Sequence, residues 1–264
     1  MSRTVPAVVR AMDILELFLD VDAELSPRDF AARLGLPRTT VFELLNTLVS
    51  RGYLTRAGED SARYRLGVRV FQLGSAYSER LDLAREGRRV AGAVAGLCDE
   101  TVHVAVLDGS DVVYIAKVDS TRSVRMVSAV GRRLPAHCSA VGKMLLAGLP
   151  SSAVRARLPQ DRPLPALTPR TLTSVRKLER ELERIRAEAV AFEHGESNDD
   201  VSCVSAPVFD HGGSMVAAMS ISVPSSRWDH KSDMEWAQLV TEGAAQLSGQ
   251  LGHVGNAGRL PTGR

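Results

Sequence analysis

The chain lacks most of what marks secreted, membrane-spanning or metal-clustered proteins. Its three cysteines, Cys98, Cys138 and Cys203, are odd in number, far apart and without any CxxC spacing. That argues against a disulfide framework and a cysteine zinc site, and for a reducing cytoplasm. No uninterrupted apolar run approaches the roughly 18–20 residues of a membrane span. Arg3, Arg10, Asp13 and Glu16 interrupt the N-terminal apolar stretch, so it does not read as a signal peptide. Aromatic residues are only 5%, and the formal net charge is only +2 over 264 residues. The whole-chain balance therefore speaks neither for nor against nucleic acid, and local patches must decide.

What is present is a globular composition, 44% hydrophobic and 24% charged, with length enough for two domains. Val8, Val9, Met12, Leu15, Leu17 and Phe18 recur near helical spacing, which predicts one amphipathic helix over 5–20. In "ELSPRDFAARLGLP", Ser26 is an N-cap, Pro27 suits the first helical position and Asp29 answers the helix dipole. Phe30, Ala31 and Leu34 face inward, and Gly35 stops the helix. "PRTTVFELLNTLVSRG" gives a further helix with Val41, Leu44, Leu45, Leu48 and Val49 on one face. "YLT" and "RYRL" then flank the polar turn "AGEDSA" as short β-prone arms.

Helix, Gly-Leu-Pro turn, helix and hairpin have the layout of a winged helix-turn-helix. Arg38, Thr39, Thr40 and Glu43 lie opposite the apolar face, where Arg can pair with guanine, Thr with phosphate or a thymine methyl, and Glu with cytosine. Arg56, Arg63 and Arg65 sit on or beside the hairpin, within reach of phosphates or the minor groove. Between residues 33 and 69, seven arginines stand against three acidic residues, a local excess of four positive charges. A solvated basic helical hairpin is the plainer alternative.

The remainder mixes helices with antiparallel hairpins, an α+β pattern. A proline-free connecting stretch at 67–98 reads as helical. "TVHVAVL" and "VVYIAKV" flank Asp108-Gly109-Ser110-Asp111, and "CVSAPVF" and "MVAAMSISV" flank "DHGGS". Helices are expected at about 173–190, read as solvent-facing with i,i+4 charge pairs, and at 231–252. The domains expected are 1–66, a connector 67–98, a sheet domain 99–254 and a flexible tail 255–264.

"HCSAVGKMLLA", residues 137–147, admits three chemistries. A thiol nucleophile needs a base in reach, and the adjacent His137 is weak support for one, as are His103 and His194. A phosphate loop needs Ser or Thr after its lysine, whereas Met144 follows Lys143. No metal-ligand spacing is present among His103, His137, Cys138 and His194. In the remaining reading, Ser139 caps a helix starting near Ala140 and leaves first-turn N–H groups for an anion. Ser220 and Ser222, two apart in "SIS", would share one face of a strand beside Cys203.

"VVRAMDILELF", "LSPRDFAARLGLPRTTVFELLNTLVSRGYL" and "YRLGVRVFQLG" resemble the DNA-binding domain of IclR-type transcriptional regulators. The resemblance continues through "ETVHVAVLDGSDVVYIAKV", "GRRLPAHCSAVGKMLLAGL", "EHGES" and "CVSAPVFDHGGSMVAAMSISVP", covering roughly 5–250. It implies a GAF-like antiparallel-sheet domain with flanking helices and a pocket for a small organic acid. Effector contacts would fall on Ala140 and Val141 by backbone, then on Glu193, Cys203, Ser220 and Ser222. It further implies a palindromic double-stranded DNA operator, a homodimer or homotetramer, no cofactor and no enzymatic activity. This sequence departs from the family's pattern at Glu43, where relatives commonly carry a basic residue, at the bulkier Val141, and at Asp200 in place of a usual glycine. Two rival readings are an enzyme with a thiol or metal site, and a DNA-binding protein whose second domain only oligomerises.

Overall fold

The computed structural model describes residues 4–19, 24–58, 61–79, 82–126, 128–159 and 161–253. The tail 255–264, read as flexible, lies outside the described residues. The chain divides into two compact units, Met1–Leu81 and Asp82–Arg264.

The first unit runs α1 (Pro6–Glu16), a 3-10 turn (Leu17–Leu19), α2 (Pro27–Leu34), α3 (Arg38–Ser50), β1 (Leu54–Arg56), β2 (Tyr64–Leu66) and α4 (Val68–Glu79). Ser26 and Asp29 form a capping box: Asp29 accepts from the Ser26 N–H at 2.8 Å, and Ser26 Oγ accepts from the Asp29 N–H at 3.4 Å. Gly35, at φ +64°, ends α2 in the left-handed conformation that a side chain disfavours, and Pro37 opens α3. The core is Ile14, Leu25, Phe30, Val41, Leu45, Leu48, Leu54 and Tyr64. Leu25 pairs with Tyr64 through two backbone hydrogen bonds of 2.8 and 3.0 Å, tying the β1–β2 wing to the start of α2.

One expectation fails within α1. Val8, Val9 and Met12 do not face the core but are 42–52% exposed, and Ile14 is the residue buried there. Apolar residues line two sides of this helix, and only one side meets the unit's own core.

The second unit holds α5 (Asp82–Cys98), β3 (Thr101–Asp108), β4 (Asp111–Val118), β5 (Arg133–Pro135), α6 (Ala140–Ala147), α7 (Ser151–Arg157), α8 (Val175–Glu188), β6 (Ala191–His194), β7 (Val201–Phe209), β8 (Met215–Pro224), α9 (Ser225–Trp228) and α10 (Asp233–Gln250). The connecting stretch 67–98 is thus two helices, α4 and α5, which belong to different units. Six strands form one antiparallel sheet in the order β5-β4-β3-β8-β7-β6. Both hairpins read from "DGSD" and "DHGGS" are present, with Asp210 Oδ1 accepting from Gly212 and Ser214 N–H in the second. Helices α5 and α10 cover one face through Val90, Val94, Trp236, Val240 and Leu247. Helices α6 and α8 cover the other.

Helix α8 is not simply a charged surface helix: Leu178, Leu182 and Ile185 are fully buried. Burying each contributes about 1.5–3 kcal/mol, whereas the surface pairs Arg184–Glu181 and Arg184–Glu188 contribute about 0.3–0.5 kcal/mol apiece. The apolar stripe therefore fixes where α8 sits, and the charge pairs decorate its outer side.

Candidate functional site

In the first unit the outward side of α3 is open. Arg38, Thr39 and Glu43 are exposed and Thr40 is half-buried, while Val41, Leu45 and Leu48 hold the helix against the core. Phe42, 55% exposed, and Asn46 also stand on this side, and sequence reasoning passed over both. Their places one and two steps of four after Arg38 were the available signal. On the wing, Arg56 and Arg65 are exposed. Arg63 is exposed too, but its guanidinium donates to the Glu24 carbonyl at 2.8 Å, so it fastens the wing to the segment before α2.

In the second unit "HCSAVGKMLLA" resolves into a 3-10 turn (Ala136–Cys138) and α6. Ser139 Oγ accepts from the Gly142 N–H at 3.2 Å and its carbonyl from Lys143 N–H at 2.9 Å. The N–H groups of Ala140 and Val141 are left without a helical acceptor. A Cβ on Gly142 would meet the Ala136 carbonyl at 2.2 Å, so this glycine serves the close approach of turn and helix rather than a phosphate. Lys143 is buried, with Nζ 2.6 Å from Glu196 Oε1 and 3.6 Å from Glu181 Oε1, which ties α6 to α8 and to the loop after β6. His137 bonds the Pro165 carbonyl at 2.9 Å and Cys138 the Pro135 carbonyl at 3.3 Å, so the two side chains are not paired as base and nucleophile. Burial pushes the Cys138 thiol up to about 12, the opposite of an activated nucleophile. Among the described residues no group of His, Cys, Asp and Glu is arranged to hold a metal ion.

Sheet register then assembles a polar row. Glu193 lies opposite Cys203, Cys203 opposite Ser222, and Ser222 opposite Thr101; one step along, Ser205, Ser220 and His103 are aligned. Directly opposed residues of an antiparallel pair share a face, and this one is the α6 side. Glu193 belongs to β6. Its Oε1 accepts from the N–H groups of Glu196 and Ser197, whereas Oε2 is buried without a partner among the described residues. Complete burial of its side chain raises the Glu193 carboxyl to about 7.

Beside this row opens a cavity of about 250 Å3. Met126 and Val201 line it and pack on Ala140 and Cys203, so these two expected residues lie directly beneath its wall. Val141 instead turns its side chain into the apolar layer with Met144 and Leu178. Arg125 and Arg132 line the cavity on one side, and Ser197, Asn198 and Asp200 on another. The wall segment is held in place from below. Asp99 accepts from Thr121 N–H at 2.9 Å, and Arg227, bidentate to Glu100 at 2.7 Å, also donates to the Val124 carbonyl at 2.9 Å.

Comparison with known proteins agrees in both units. The profile described as "Bacterial transcriptional regulator IclR C-terminal" matches residues 75–249, and that of the "IclR helix-turn-helix domain" matches residues 7–58. The HTH-type transcriptional regulator KdgR of Escherichia coli (strain K12) is 31% identical over 250 residues, covering 95% of this chain and 94% of that protein. The crystal structure of the Thermotoga maritima IclR superposes with a TM-score of 0.75 at 29% identity, covering 93% of this chain and 98% of that one. An IclR homolog from Microbacterium hydrocarbonoxydans, complexed with 4-hydroxybenzoate, superposes with a TM-score of 0.80 at 25% identity, covering 93% and 98%. The relatives are named regulators and not enzymes, and the chain belongs to the IclR family of transcriptional regulators, with a helix-turn-helix DNA-binding domain followed by a C-terminal effector domain.

Proposed function

We propose that this regulator binds a palindromic double-stranded operator as a homodimer, or a dimer of dimers, and that a small organic acid in the second unit changes that binding. The observation carrying the effector reading is the cavity, which Arg125 and Arg132 line and whose Met126 and Val201 pack on Ala140 and Cys203. Two arginines favour an anion. Met126, Val201 and Pro224 suit an apolar body, and about 250 Å3 suits a ligand smaller than a typical drug. The bound 4-hydroxybenzoate of the Microbacterium relative is of that class.

Arg38, Thr39, Thr40 and Glu43 are the base-reading side chains, and Arg56, Arg63 and Arg65 the wing contacts, Arg63 chiefly by holding the wing's shape. One recognition helix reads too few base pairs for genomic specificity, hence the dimer. Val5 just before α1, Val8, Val9 and Met12 of α1, and Val68, Phe71 and Leu73 of α4 support it, since each stretch leaves apolar side chains 42–73% exposed. No described helix is long and apolar enough to cross a membrane, in keeping with a cytoplasmic regulator. The effector acts only through a difference in affinity between two arrangements of the protein.

Replacing Arg38 and Thr40 together by Ala is expected to abolish gel-shift binding to the protein's own promoter region while circular dichroism and oligomeric state stay unchanged. Unaltered affinity would overturn the recognition-helix assignment. Thermal-shift and calorimetric titration with 4-hydroxybenzoate and short aliphatic acids test the cavity.

A further inference from the structure

Ser128, on the cavity wall, is wired into the sheet. Its Oγ lies 2.7 Å from Nε2 of His103, and the other ring nitrogen, Nδ1, lies 3.3 Å from Ser222 Oγ. Ser222 Oγ in turn receives the Cys203 thiol at 3.3 Å. His103 is completely buried and stacked on Tyr114 at 4.4 Å. Lys117 donates to the Ser128 carbonyl at 2.5 Å and pairs with Asp119 at 2.8 Å, which fixes the backbone that carries the hydroxyl.

Burial, and then the charge of Lys117, hold the imidazole down to about 3, so it is neutral throughout the physiological range. A neutral imidazole has one N–H and one bare nitrogen. The serine facing the bare nitrogen must donate its single proton to the ring. The serine facing the N–H receives one, and keeps its own proton for something else. Ser222 Oγ takes the Cys203 thiol on one of its two lone pairs, and its own proton is the donor available to Nδ1. The ring proton then sits on Nε2 and points at Ser128, whose own O–H is free to turn into the cavity.

We propose that His103 is a positioning residue that sets ligand specificity: as the Nε2–H tautomer it makes Ser128 a hydrogen-bond donor to the ligand, so this wall selects a carboxylate or carbonyl oxygen. The inference rests on the cavity being the effector site and adds His103 and Ser128 to it. Arg125 and Arg132, lining the same cavity, favour the same oxygen. The Ser128–His103–Ser222 chain also links that oxygen across β8 to Cys203 on β7, so a ligand at Ser128 is registered at Cys203.

The test uses the full-length protein with 15N-labelled histidine. Long-range 1H–15N spectra between pH 6 and 8, with the His103 signals identified by their loss in His103→Gln, should show a protonated Nε2, a bare Nδ1 and no ring protonation. A protonated Nδ1, or a charged ring, overturns the proposal. Calorimetry with 4-hydroxybenzoate as probe gives the second readout. Ser128→Ala should weaken binding about tenfold or more, and His103→Leu by a similar factor. His103→Gln, whose amide N–H can still reach Ser128, should recover most of the affinity. Equal losses in the Leu and Gln variants overturn the hydrogen-bonding role. No binding of any small acid by the wild type would instead overturn the effector assignment, leaving the tautomer result to stand by itself.

Discussion

The α3 surface and the polar row of the sheet use the same few residue types and turn them to opposite ends. On α3, Thr39 and Glu43 are exposed, their geometry set by the Phe30, Val41 and Leu45 core behind them. In the second unit Glu193, Ser220 and Ser222 are buried, and their geometry is set by strand register. A polar side chain in water is available to any partner, and its cost is small. A polar side chain in a sheet interior must be satisfied by neighbours, so what it still offers is decided by what its neighbours have already taken. The first arrangement suits a long charged polymer, and the second a small molecule that must be told from its analogues.

The largest effect that sharpens this contrast comes from removing the scaffold under α3. Phe30→Ala should destabilise the first unit by about 3–5 kcal/mol and abolish DNA binding. Ligand binding should persist, because no residue of that core belongs to the cavity. Loss of both activities together would show that the two recognition surfaces do not rest on separate cores.

The next effect belongs to Glu193. Its folded-state value of about 7 lies above the ordinary 4.5, so between those pH values the folded chain holds a proton that the unfolded chain has released. The stabilisation is full below about 4.5 and is lost as pH rises through about 7, an amount on the order of 3 kcal/mol. Glu193→Gln keeps a neutral acceptor for the Glu196 and Ser197 N–H groups. Urea unfolding should therefore find the variant about equal to wild type at pH 5 and more stable by nearly that amount at pH 8. Parallel pH profiles would mean the carboxyl ionises freely where it is. The same sign governs the ligand: affinity for an acid should fall as pH rises from 6 to 8 in the wild type and stay level in the variant.

Smaller effects separate base reading from phosphate contact. Arg38→Ala should cut discrimination between operator and unrelated DNA roughly ten- to hundredfold. Arg65→Ala should weaken all DNA alike and lower the salt slope by about one. Identical behaviour of the two variants would erase the distinction between helix and wing.

How much of this could be read from the letters follows the same division. The first unit's elements are written locally, in Ser26 and Asp29 as a cap, Gly35 as a stop and an apolar period behind Arg38. What was misjudged there, Val8 and Met12, depends on which of two apolar sides the fold buries. In the second unit the "SIS" alternation correctly placed Ser220 and Ser222 on one face. Glu193, however, entered only through resemblance, because β6 is four residues long and its sequence Ala-Phe-Glu-His does not alternate apolar with polar. His103 and Ser128 stand 25 residues apart and Lys143 and Glu196 stand 53 apart. Such pairs come together only when the sheet closes, and no local pattern announces them.

Cys138 supplies the smallest effect and the finest test. It sits in the 3-10 turn before α6 without belonging to the polar row, its thiol bonded to the Pro135 carbonyl at 3.3 Å. Held up at about 12, it stays protonated at any pH the protein meets, and the thiolate is the reactive form. Serine keeps the donor and nearly the volume, so Cys138→Ser should cost no more than about 1 kcal/mol. Acid binding and its effect on operator affinity should not change. Thiol reagents should label Cys138 in the folded wild type only as fast as the unit opens, with a rate that rises with added urea. Rapid labelling under native conditions, or a variant that binds the acid yet no longer releases or recruits DNA, would move this cysteine from packing into the signalling path.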